Sequence, residues 1–203
     1  MPAEHDQHSV LEQLARLHDH KTVGYGDAWR KRGELLSIFT NIARKYDRLV
    51  VALDEHVTSN DEGILDTAAD LCVYGGKYLT WLAECHPCEF TEASAGARAK
   101  SCADSAGPGA LRETFSHLDA QRNSQDVEPA WQSVKAAFEP LEHGLLAEAG
   151  AAEGTRLGWA QKTTLAWALT NAASALTLAV SLQRPAELQA LEATVQEMNA
   201  AGP

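Results

Sequence analysis

Glu34, Asn41, Lys45 and Arg48 are spaced so that, at about 100° per residue, they fall within about 60° of one another on a helix. Asp66, Asp70 and Lys77 fall within about 40° on the next helix. Two carboxylates at i and i+4 repel each other, by a few tenths of a kcal/mol (roughly 0.2–0.5) when exposed. A divalent cation relieves that repulsion, and Mg²⁺ takes carboxylate oxygens together with phosphate. Glu34, Asp66 and Asp70 are therefore the candidate catalytic and metal-ligating acids, with Mg²⁺, or Mn²⁺ in its place, as the expected cofactor. Lys45, Arg48 and Lys77 are the candidate counter-charges for a phosphate chain. The same residues also suit a plain solvated face of an amphipathic helix. Asp47 lies across its helix from Glu34 and reads as surface.

Helices must carry these stripes. Val10, Leu11, Leu14 and Leu17 predict a first helix at about 8–20. Leu35, Ile38, Phe39, Ile42, Tyr46, Leu49, Val50 and Leu53 predict a long one at about 33–56. A turn from Thr58 to Gly63, rich in N-cap residues, precedes a third at about 62–84. Residues 86–109 read as a loop or linker, with Pro87, Gly96, Gly107, Pro108 and Gly109. Further helices are expected at about 110–122, 128–148 and 155–183, and a last one from Pro185 to about 199. Pro140 should kink or split the 128–148 helix. No alternating strand pattern competes. The expected fold is all-α, a bundle of six to seven helices, with a helical core at 8–84 and a C-terminal half at 110–200 packed on it.

Composition narrows the function. The chain has 203 residues, 17 Lys+Arg against 28 Asp+Glu, and a formal net charge of −11. That balance speaks against coating a nucleic-acid polymer, which needs a basic surface. A small anionic ligand needs only a few local cations. Residues 1–8 have no apolar h-region, so a cytoplasmic protein is expected. The stretch 163–183 has no charged residue, yet Thr163, Thr164, Thr170, Asn171, Ser174, Thr177, Ser181 and Gln183 interrupt it. A core or subunit-interface helix is expected rather than a membrane span, and with it a homodimer.

Three segments carry a resemblance: Tyr25-Gly26-Asp27-Ala28-Trp29-Arg30, then Lys45-Tyr46-Asp47-Arg48, then Asp66-Thr67-Ala68-Ala69-Asp70-Leu71-Cys72-Val73-Tyr74. Over about residues 14–84 the chain resembles the nucleotide-modification-associated domain 1 family, itself similar to the MazG-like all-α nucleoside triphosphate pyrophosphohydrolases. The resemblance implies a small-molecule nucleotide as partner and Tyr25, Asp27, Trp29, Asn41, Lys45, Arg48, Tyr74 and Lys77 as its binding set. It implies carboxylates that hold Mg²⁺, a water that attacks the α-phosphorus, and pyrophosphate as leaving group. Tyr25 and Trp29 would stack on the base. MazG-like enzymes carry Glu-x-x-Glu and Glu-x-x-Asp, whereas here Glu34 is followed at i+3 by Ser37 and Asp70 is preceded at i−3 by Thr67. Asp66 would stand in for a missing acid. The alternatives are a nucleotide-binding module that does not cleave, and a helical interaction protein.

Cys85-His86-Pro87-Cys88 invites a zinc or redox reading, but no second Cys-x-x-Cys pair exists, and the motif ends a helix instead of opening one. His5, His8, His18 and His20 read as solvated surface, and Trp159 and Trp167 as core or interface.

Overall fold

The computed structural model describes residues 10–16, 26–55, 63–86, 110–116, 118, 126–150 and 154–201. Among the described residues there are seven helices and no strand, as the periodicity predicts. Helix α1 covers 10–16. A 3₁₀ turn, Gly26–Arg30, precedes α2 at 34–54, whose ends are π-helical (Glu34–Phe39 and Val50–Asp54) around an α-helical centre, Thr40–Leu49. Then come α3 (Ile64–Cys85), α4 (Ala110–Ser116), α5 (Val127–Glu148), α6 (Trp159–Gln183) and α7 (Pro185–Ala201). The turn from Thr58 and most of the 86–109 segment lie outside the described residues.

The four long rods α2, α3, α5 and α6 run antiparallel to their neighbours. Residue pairs show it: Lys45 meets Asp70 while Glu34 meets Tyr78, and Phe39 meets Phe138 while Tyr46 meets Trp131. One apolar core draws on α1 to α7, so both expected halves share it. Its centre is an aromatic stack, with Tyr46 and Phe138 centroids 3.8 Å apart and Phe39 5.6 Å from Phe138. Fully buried Trp131 donates its indole N–H to Asp54 at 2.7 Å, fixing the start of α5 to the end of α2. Burying a side chain of this size contributes about 1.5–3 kcal/mol or more.

Helix α6 fills the middle of the bundle, against α3 and α5. It is long and apolar enough to cross a membrane, but 67% of its most apolar window is buried within the chain. Its buried hydroxyls bond along the helix itself: Thr163 to the Trp159 carbonyl (2.9 Å), Thr170 to Ala166 (2.7 Å) and Thr177 to Ala173 (2.8 Å). Each of these hydroxyls is thus satisfied without a partner from another helix. Most of the uncharged stretch is core. Close approach of α3 and α6 depends on Gly75, where a Cβ would stand 2.7 Å from Thr170 Oγ1.

Pro140 does not split its helix: α5 runs unbroken through it. The carbonyl it leaves without a donor belongs to Ala136, which is exposed, while Phe138 and Leu141 on either side are buried in the core.

Candidate functional site

The antiparallel α2–α3 seam gathers most of the residues singled out from the sequence. Lys45, only 5% exposed, bonds through Nζ to Asp70 Oδ2 at 2.6 Å. One turn along α3, Tyr74 turns a half-buried ring to the same place. Burial raises its phenol pKa, Asp70 raises it further, and Lys45 and Arg44 pull it back down. Lys77 Nζ lies 5.2 Å from the ring centroids of both Tyr74 and Trp29. The Trp29 ring also carries the Arg30 guanidinium at 5.7 Å, and Arg30 pairs with Glu84 of α3. The 3₁₀ turn therefore crosses α3 and lays an indole and a guanidinium along its stripe. Asn41 lies on the α2 stripe one turn before Lys45 and donates Nδ2–H to the Ser37 carbonyl at 2.8 Å. Arg48 is exposed one turn beyond Lys45. Tyr25 and the side chain of Asp27 lie outside the described residues.

A second polar cluster gathers around Tyr78 of α3, and it takes Glu34. Glu34 accepts a hydrogen bond from the Tyr78 hydroxyl at 2.5 Å and another from Lys162 Nζ at 2.8 Å. Lys162, 3% exposed, also bonds Glu148 at 2.8 Å and lies 4.5 Å over the Trp159 ring. The second oxygen of Glu148 accepts the Leu157 N–H at 3.1 Å. Trp159 stacks on His86 at 3.6 Å and contacts Trp81 at 5.8 Å. Burial first, then the Glu34 charge and its hydrogen bond, push the Tyr78 hydroxyl far above its ordinary pKa, so it is a fixed donor. Gly33, at φ +80°, turns the chain in the left-handed region just before Glu34 and lets the first turn of α2 deliver the carboxylate inward.

Glu34, Asp66 and Asp70 do not meet. Tyr78, which holds Glu34, is eight residues past Asp70 and twelve past Asp66, about 12 and 18 Å along the helix axis. Asp66 is exposed and lines a shallow groove of about 270 Å³ between α3 and α7, with Gly63, Leu65 and Glu187. Glu187 there caps the first turn of α3, accepting the Leu65 N–H at 3.0 Å. No three or more His, Cys, Asp or Glu side chains gather at one point among the described residues. The charge facing Glu34 is the ammonium of Lys162, which would repel a metal ion. The three acids therefore do not fit a shared Mg²⁺ or Mn²⁺. On the zinc reading, Cys85 is exposed, His86 stacks on Trp159, and Pro87 and Cys88 lie outside the described residues.

Sequence reasoning missed Tyr78, Glu148 and Lys162. Lys162 had a signal: it is the last cation before the uncharged run of α6, and a charge embedded in such a helix must find acids elsewhere.

No protein-family model matches the chain, and neither a curated protein nor a solved structure shows a significant match.

Proposed function

We propose that the protein is a nucleotide-binding module whose seat is the α2–α3 seam. The observation that carries this reading is the convergence of Trp29, Tyr74 and Lys77 beside the Lys45–Asp70 pair. Half-buried aromatic rings offer stacking to a base, worth about 1–3 kcal/mol per base. Lysines within one or two turns offer charge-assisted bonds to a phosphate. Binding is favoured over cleavage because Glu34, which the metal-dependent mechanism needs, is held by Tyr78 and Lys162, about two helix turns from Asp70.

Isothermal calorimetry with purified full-length protein tests the reading. Nucleotides are expected to bind, with affinity reduced by Trp29→Ala and Lys77→Gln. Failure of every nucleotide to bind the wild type overturns it. Pyrophosphate release from a triphosphate with Mg²⁺, abolished by Asp70→Asn, would replace the binding module with a pyrophosphohydrolase.

A further inference from the structure

Resting on the nucleotide reading, we infer that the 3₁₀ turn Gly26–Arg30 is a gate on the seam, hinged at Gly33 and latched by Arg30 on Glu84, that opens to admit a base to the faces of Trp29 and Tyr74. The two rings belong to different elements. Tyr74 is carried by α3, which is fixed in the core through fully buried Leu71, Tyr78 and Leu79. Trp29 is carried by the turn, follows exposed Ala28, and is itself only partly buried. Moving Tyr74 with its helix would break close packing, whereas moving the turn breaks a few contacts.

The structure shows the closed state. Stacked aromatic rings sit with centroids about 4.5–7 Å apart. Lys77 Nζ lies over both rings at 5.2 Å, and the Arg30 guanidinium lies over Trp29 at 5.7 Å. The cations therefore stand at the distance a stacked base would take. Lys77 has a flexible stem and can swing aside. Arg30 is tied to Glu84, so clearing it from the indole means releasing the latch.

Hinge and latch suit that motion. Gly33 has φ +80° and ψ −171°, a region other residues scarcely adopt, and a Cβ there would meet nothing within 4 Å. Its glycine thus serves backbone conformation and not close packing. Across it, the Arg32 N–H donates to Ser37 Oγ at 2.9 Å, a bond that closure makes and opening breaks. The Arg30 and Glu84 side chains are 29% and 25% exposed, so water can replace the pair when it parts.

The latch is closed before entry and closes again over the bound base, so it slows passage in both directions. Stopped-flow tryptophan fluorescence on the full chain tests this, with the mono- and triphosphates of adenosine, guanosine, cytidine and uridine in MgCl₂. Glu84→Gln is expected to raise the association and dissociation rates together, each about tenfold, with Kd changed less than about threefold. Gly33→Ala, strained only in the closed conformation, should act the same way. Fluorine NMR of the chain labelled with 5-fluorotryptophan gives a readout without ligand: the Trp29 line, assigned by Trp29→Phe, should shift in the same direction in both variants. A rise in dissociation rate alone would make Arg30 or Glu84 a ligand contact and overturn the gate. Unchanged rates with an unmoved Trp29 line would make the turn a fixed wall and overturn it too. Both results leave the nucleotide reading standing. If no nucleotide binds the wild type, that reading falls and the gate with it.

Discussion

The seam and the deep cluster are built from the same parts, yet they do different work. Each joins a lysine to a carboxylate of another helix and sets aromatic rings beside an ammonium. In the deep cluster the acids are shared: one ammonium bonds two carboxylates and faces an indole, and the free oxygens take a hydroxyl and a backbone N–H. In the seam one buried lysine meets one carboxylate that is 32% exposed, and the second lysine rests on ring faces. A buried, matched ion network fixes helices in register. A half-open one leaves its carboxylate and ring faces within reach of solvent. Exposure, more than residue type, separates the two regions.

Removing a charge should show the contrast most strongly in the deep cluster. Lys162→Met leaves Glu34 and Glu148 facing each other inside the protein, and a loss of about 3–5 kcal/mol is expected. Urea unfolding would measure it; a loss under about 1 kcal/mol would show the network to be no more than a surface pair.

Asp70→Asn is expected to cost less, about 1–2 kcal/mol, because water reaches Asp70 and an amide oxygen can still accept from Lys45. A cost equal to that of Lys162→Met would erase the distinction between the two regions.

An alkaline titration follows the buried hydroxyls. Tyr78 in the cluster and Tyr74 in the seam are both raised, and core Tyr46 is pushed up to about 12 by burial and nearby acids. The folded chain keeps these protons where the unfolded chain, with tyrosines near pKa ~10, releases them. Their contribution to stability is full below that pH and falls as pH rises above it. Melting temperature should therefore decline steadily on the alkaline side, and phenolate absorbance should rise with unfolding and not before it. Early ionisation of most tyrosines in the folded state would contradict the burial.

The smallest effect on stability belongs to Lys77→Gln, within about 0.5–1 kcal/mol, the range of an exposed cation–π contact. On the proposed reading its effect falls on nucleotide affinity instead. High salt should act likewise, weakening ligand binding at the seam and leaving the buried cluster nearly untouched.

Much of this was legible in the chain. Apolar spacing placed Ile38, Ile42, Leu49, Leu65 and Leu79 in the core, where they are buried. The same helical arithmetic put Lys45 on one stripe and Asp70 and Lys77 on another, and the structure pairs Lys45 with Asp70. The arithmetic failed for Glu34. It fixes angle around one helix and says nothing of height against a neighbour. Glu34 shares a stripe with Lys45, but antiparallel packing sets it opposite Tyr78, two turns past Asp70. Pro140 does not split its helix: a proline rule weighs the lost backbone bond and not the burial of Phe138 and Leu141 around it.

Periodicity and composition determined that this is an all-α protein, which faces are apolar, and that its acidic surface carries local groups of cations. These are properties of neighbours along the chain, set by the repeat of the helix. Tertiary structure alone decided which lysine meets which acid. Glu148 and Lys162 lie more than a hundred residues from Glu34, and only the relative height of packed rods brings their charges to one point.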